Sequence, residues 1–106
     1  MTNVVSIDPE SRFVGKWKCC DGFSEVTFNV SIVDGSFAVS VIDPESDVVP
    51  EIHGTIYHSA NRTLEFSVHW PTTGRFTKYN LIPSRVAGRV EVTFTYTSTE
   101  LWERVI

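Results

Sequence analysis

The sequence predicts an all-β protein, and three observations support this. Apolar and polar residues alternate without exception in residues 25–32, EVTFNVSI, and this period of two is that of a strand with one buried face. Turn-forming residues fill almost every gap between such segments, and no long segment has helical periodicity. With 106 residues, 42% of them hydrophobic and 21% charged, the chain has the size and composition of a single globular domain covering residues 1–106.

Residues 1–12 form a predicted N-terminal arm, in which Asp8-Pro9-Glu10-Ser11 favours one short 3₁₀ turn. Eight strands are predicted after it. Their bounds are 13–19, 24–33, 36–43, 51–58, 63–70, 75–82, 88–97 and 100–105.

The second and third segments predict the most specific local structure. Asp34-Gly35 lies between them, and this pair favours a tight hairpin because both central residues of such a turn need positive φ. A tight turn pairs Ile32 with Phe37, Val30 with Val39 and Phe28 with Val41. All six residues are apolar, so the turn and the hydrophobic pattern predict the same register.

The fourth and fifth segments predict a second hairpin, in which Gly54 marks a bend or bulge. A three-residue loop, 60–62, pairs Ser59 with Thr63 and His53 with His69. The two histidines of the second pair then share the outer face with Glu51. The same register puts His58 on the inner face.

Eight consecutive strands with hairpin-length links predict an antiparallel up-and-down β-barrel, because closure removes the two exposed edges of a meander. A two-sheet sandwich is the competing architecture, and its crossover would have to lie in Asp43–Pro50. The register of the last strand stays open. A two-residue turn after Tyr96 directs Leu101 inward and Arg104 outward, whereas a three-residue turn directs Trp102 and Arg104 inward.

The opening strand contains Gly15-Lys16-Trp17, which resembles the Gly-x-Trp signature of the lipocalins and of the wider calycin group that includes the avidins. The resemblance implies an eight-stranded barrel whose closed end is plugged by Trp17 and covered by Arg104, with Gly15 allowing backbone to approach the indole. The chain departs from the family in lacking a secretion signal and the polar contacts for biotin. Biotin binding is therefore not predicted.

Charge and cysteine content exclude several classes of function. The net charge of −4 argues against nucleic acid and anionic membranes as partners, since both require basic surfaces. The chain has no run of 18 apolar residues and no signal peptide, and its adjacent Cys19 and Cys20 are expected to be free thiols. We therefore expect a cytoplasmic protein.

No catalytic motif is present, so the leading hypothesis is non-enzymatic binding of a small, partly apolar ligand in the barrel mouth. The expected ligand-binding residues are His58, Trp70, Arg75, Tyr79 and Tyr96, with Arg75 pairing an anionic group. No cofactor is predicted. No metal is predicted either, because nothing adds a dependable further ligand to the two outer histidines.

Two other functions stay open. One is a protein-interaction module, with a homo-oligomer as one form, whose filled barrel packs its outer face on a partner. The residues expected on that face include Val14, Ala38, Ile42, His53 and His69. The other is a small isomerase or cyclase that uses His58 or an interior tyrosine in proton transfer.

Overall fold

A computed structural model describes residues 12–20, 25–97 and 100–106. It contains seven strands: β1 (Gly15–Lys18), β2 (Thr27–Val33), β3 (Ser36–Ile42), β4 (Glu51–His58), β5 (Thr63–Trp70), β6 (Arg75–Pro83) and β7 (Val90–Thr97). They form two antiparallel sheets, which we name sheet A, with the order β1-β2-β3, and sheet B, with the order β4-β5-β6-β7. The all-β prediction is confirmed.

The β2–β3 hairpin has the predicted register. Asp34 and Gly35 have φ values of 51° and 80°, as a tight turn of this kind requires. Val30 pairs with Val39, and the two flanking apolar pairs form as expected. This hairpin was predictable because its turn and its apolar pattern are both local.

The β4–β5 hairpin differs from the prediction by one residue. His58, not Ser59, pairs with Thr63, so the link has four residues, and Arg62 within it has a φ of 55°. A bulge then shifts the register between His53 and Ile56, with Gly54 at a φ of 61°. The bulge was predicted at Gly54. The register of the hairpin was predicted wrongly.

This slip reverses which side chains of β4 face the core. Tyr57 pairs with Leu64 and lies on the inner face, whereas His58 lies on the outer face. Before the bulge, Ile52 pairs with inward-facing Val68, so one strand directs an even-numbered and an odd-numbered residue to the same side. A regular alternation of side chains does not predict this change from even-numbered to odd-numbered inward residues.

The hydrophobic core lies between the inner faces of the two sheets. Its buried residues are Phe13, Val30, Val41, Leu64, Phe66, Val68 and Leu81. Phe28 of sheet A joins the layers, because its ring lies 5.6 Å from that of Phe66 and 5.1 Å from that of Tyr79, measured between centroids. Phe13, just before β1, contacts both Phe37 and Tyr57 edge-on.

Across the described ranges the two sheets do not join into a closed barrel, and the strands number seven rather than eight. Residues 100–106 have no regular secondary structure where a strand over 100–105 was predicted, and all of them are exposed. A strand needs a neighbouring edge to satisfy its backbone groups, and this segment pairs with none of the described strands.

The predicted 3₁₀ turn over residues 8–11 lies outside the described residues, which begin with Arg12 and Phe13 in 3₁₀ conformation. No helix within the described part of the chain has the length and apolar character needed to cross a membrane.

Candidate functional site

Strands β5, β6 and β7 bring four of the five predicted ligand-binding residues to the inner face of sheet B. Together with two neighbours they form what we call the aromatic patch. Its members are Trp70, Arg75, Thr77, Tyr79, Phe94 and Tyr96. Cross-strand pairing places Trp70 opposite Arg75 across a four-residue turn, and the three inner residues of β6 follow one another at every second position.

Thr77 lies at the centre of the patch and is 4% exposed. Its hydroxyl accepts a hydrogen bond of 3.2 Å from the indole Nε1 of Trp70. The Thr77 side chain also acts on the Tyr79 phenol, whose pKa burial raises and Thr77 lowers. The buried hydroxyl of Thr77 therefore fixes the orientation of the Trp70 indole.

Tyr79 remains protonated at neutral pH. Burial raises the pKa of its phenol above the usual 10.0, although the hydrogen bond with Thr77 and the nearby Arg75 charge both act in the lowering direction. Its ring stacks on Phe66, with centroids 5.5 Å apart, and contacts Phe94 at 6.0 Å. Tyr79 thus links the core to the exposed part of the patch.

Arg75 contributes the positive charge of the patch. Its guanidinium carbon lies 4.4 Å from the centroid of the Tyr96 ring, a cation–π distance. Within the described part of the chain, no carboxylate lies within ion-pair distance of Arg75. The charge is therefore held over a ring and is accessible to an anion.

The β7 side of the patch is open to solvent. Phe94 is 60% exposed and Tyr96 54%, although both were predicted to face inward. They do face inward, but the described residues place no strand beyond β7 to cover them. The predicted site did not include Phe94. The alternation of apolar and polar residues indicates on which face a side chain lies, but not whether other segments cover that face.

His58 lies away from the patch, on the outer face of sheet B. Its Nε2 is 3.3 Å from Oε1 of Glu65, and the same oxygen lies 3.5 Å from Nζ of Lys78. The prediction that His58 lines the barrel mouth is therefore not met, and the one-residue slip of the β4–β5 hairpin is the reason. The His58–Glu65 contact lies on the sheet surface rather than in a pocket.

The second histidine group also lies on the outer face. The Glu51 carboxylate lies 3.6 Å from Nε2 of His53 and 3.5 Å from Nδ1 of His69, and the Phe76 ring contacts both imidazoles. The shared face was predicted, whereas direct pairing of His53 with His69 was not correct, since His69 pairs with Glu51. The described residues contain no group of three or more ligands able to hold a metal ion.

Trp17 packs against the core, and its Nε1 donates a 2.8 Å hydrogen bond to the Phe13 carbonyl oxygen. Arg104 does not cover it within the described structure, because this arginine belongs to the exposed segment 100–106. Arg12 and Arg89 are the cations beside Trp17, where they line a cleft of about 200 Å³.

Gly15 has a φ of 144°, which strains any other residue, but a Cβ there would meet nothing within 4 Å. Its role is therefore in backbone conformation and not in close approach to the indole.

A second cleft of about 200 Å³ lies between the β2–β3 turn and β4, beside Phe37 and Tyr57. Neither cleft includes a residue of the aromatic patch. The patch is open to solvent on its β7 side, so a ligand there would contact it on one side. No protein-family model, curated protein or solved structure matches this chain, so the geometry of the site is the basis for assigning a function.

Proposed function

We propose that this protein binds, without chemical conversion, a small planar ligand that is partly apolar and carries an anionic group. The observation that carries the proposal is the aromatic patch, in which exposed Phe94 and Tyr96 adjoin the Arg75 guanidinium, with which no carboxylate of the described residues pairs. Exposed aromatic surface of this kind loses unfavourable hydration when a flat ligand covers it.

The polar groups of the patch favour a particular ligand chemistry. Arg75 offers paired N–H donors to a carboxylate, sulfonate or phosphate, while protonated Tyr79 offers a single O–H. The rings of Trp70, Phe94 and Tyr96 offer flat apolar contact. An aromatic acid is the simplest ligand class that uses both kinds of group.

Binding is favoured over catalysis by the separation of acid–base groups from the patch. Among the described residues, the histidines and the glutamates paired with them lie on the opposite face of sheet B. An isomerase or cyclase using His58 inside a barrel has no support from this arrangement. Completion of an eight-stranded barrel by a strand beside β7, whichever molecule supplies it, is part of the proposal, because such a strand would turn the open patch into a walled pocket.

The proposal is tested with two probes of similar shape. 1-Anilinonaphthalene-8-sulfonate is aromatic and anionic, and N-phenyl-1-naphthylamine has the same ring systems without the sulfonate. We expect the anionic probe to bind more tightly, and Arg75→Gln to weaken it about fivefold, as loss of an exposed ion pair of ~1 kcal/mol predicts. The neutral probe should bind the variant and the wild type equally.

The matched control is Arg85→Gln, which removes an exposed cation from the β6–β7 connection, away from the patch. It should leave the affinity for both probes unchanged. Equal weakening by the two substitutions would show that net charge, and not the Arg75 site, attracts the anion, and the proposal would then fail.

A further inference from the structure

We infer that residues 100–106 add as an eighth strand to the free edge of β7 in a second copy of this chain, so that two molecules exchange their C-terminal segments. This inference does not rest on ligand binding. A chain that bound neither probe would still be expected to exchange the segment.

The first observation is the exposure of the segment. Four large apolar side chains of the segment have exposed fractions between 86% and 118%. They are Leu101, Trp102, Val105 and Ile106. Fully solvated apolar side chains so close together are unusual on a monomer and indicate an interaction surface. The Trp102 indole donates to Oε2 of Glu100, a contact within the segment itself.

The second observation is the β7 edge. In the described sheets, β7 pairs with β6 on one side and has no strand on the other, so a row of N–H and C=O groups remains available. The inner face of β7 is apolar and exposed at Val92, Phe94 and Tyr96. A seven-residue extended segment spans about 24 Å, which matches an eight-residue strand to within one residue. An added strand would therefore pair with the free N–H and C=O groups of β7 and would also extend its apolar face.

The third observation concerns which molecule supplies the strand. Only Ser98 and Thr99 connect β7 with the segment. A two-residue hairpin requires positive φ and favours Asn-Gly or Asp-Gly, and β-branched Thr is poorly suited to it. In this same chain the tight β2–β3 turn uses Asp34-Gly35, with φ values of 51° and 80°. A short connection that resists a tight turn favours exchange with a second molecule over folding back.

The test is the molar mass of the full chain in solution, measured by light scattering after size-exclusion chromatography. We expect twice the 12.0 kDa of one chain. A chain ending at Thr99 should have the single-chain mass. A monomeric full chain would overturn the inference, and so would a truncated chain that remains dimeric.

A second variant keeps every residue of the segment and does not depend on the truncated chain folding. Ser98→Asn with Thr99→Gly supplies a turn that allows the segment to pair with its own β7, so this chain should become monomeric. The matched control, Ser98→Ala with Thr99→Ala, changes the same positions without adding a turn signal and should stay dimeric. Persistence of the dimer in the Asn-Gly variant would contradict exchange.

Trp102 provides a spectroscopic readout of the same event. The Trp102 emission is isolated as the difference between the spectra of the full chain and of its Trp102→Phe variant. In the dimer this emission should lie at shorter wavelength than that of a free peptide of residues 100–106. Solvent-like emission from Trp102 in a dimeric full chain would mean that the contact lies elsewhere and would overturn the inference.

Discussion

The register of the β4–β5 hairpin is tested by comparing Tyr57→Ala with His58→Ala. The Tyr57 ring lies 6.2 Å from Phe13 and 5.6 Å from Phe37, between centroids, so truncation removes contacts that join sheet B to sheet A and to the segment before β1. Removal of a fully buried aromatic ring costs about 3–5 kcal/mol. Because Tyr57 is half-buried, we expect Tyr57→Ala to lower the free energy of unfolding by about 2–3 kcal/mol.

His58→Ala is the matched control, one residue away on the outer face. It removes the contact between His58, whose side chain is 41% exposed, and Glu65. Such partly exposed pairs contribute less than about 1 kcal/mol to the free energy of unfolding. Equilibrium unfolding in urea, followed by circular dichroism, measures both values. With a slope near 1–3 kcal/mol per molar urea, a loss of about 2–3 kcal/mol should lower the Tyr57→Ala midpoint by about 0.7–3 M. A larger loss for His58→Ala than for Tyr57→Ala would refute the bulge and restore the uninterrupted register.

Three further predictions follow from the described contacts. Because burial raises the pKa of Tyr79, the unfolded chain loses the phenol proton first as the pH rises, so the stability that this group contributes is present below pH 10 and is lost above it. Tyr79→Phe should remove the part of the alkaline loss of stability that is due to this phenol, as measured by urea unfolding between pH 8 and 11. An unchanged pH profile would contradict a buried phenol. Gly35→Val places a β-branched residue at a φ of 80° and should lower stability by at least about 1–3 kcal/mol, whereas Ser36→Val, at an exposed strand position beside it, should change the unfolding midpoint little. Glu65→Gln removes the carboxylate charge that contacts both His58 and Lys78, and it should lower the free energy of unfolding by about 1 kcal/mol or less. The affinity for the anionic probe should stay unchanged, and weakened probe binding would place the ligand on the outer face instead.

The parts of the fold that the sequence predicts well are those set by neighbouring residues. Asp34-Gly35 sets the turn, and the alternation on both sides sets the faces, so the pairing of Val30 with Val39 follows. The placement of three predicted site residues on one face has the same local origin. Trp70, Arg75 and Tyr79 lie on two strands joined by a four-residue turn, and their common parity puts them on one face.

The parts that the sequence did not predict depend on contacts between distant segments. A bulge at Gly54 was expected, but alternation does not show that it moves Tyr57 inward and His58 outward. Nor does alternation show whether a face is covered. Phe94 and Phe66 have the same inward parity, yet Phe94 is 60% exposed and Phe66 is 1% exposed. The strand of Phe66, β5, has a neighbouring strand on each side, whereas β7 has one on a single side of the described sheet.

The resemblance to calycins was carried by Gly15, Trp17 and Arg104, and these residues have different surroundings in the structure. Trp17 packs on the core as a barrel-closing residue would, but Arg104 lies in the exposed segment 100–106. The pairing of that segment with a strand depends on contacts between residues far apart in sequence, and a three-residue motif carries no information about such contacts.

The central claim is that the aromatic patch on the inner face of sheet B is an accessible binding surface, and chemical-shift mapping tests it most directly. Backbone amide spectra of the full chain are recorded as 1-anilinonaphthalene-8-sulfonate is added. We expect the largest shifts in Trp70–Tyr79 and in Phe94–Tyr96. Shifts concentrated instead around Trp17 and Arg89, or around Phe37 and Tyr57, would assign binding to one of the two clefts and contradict it.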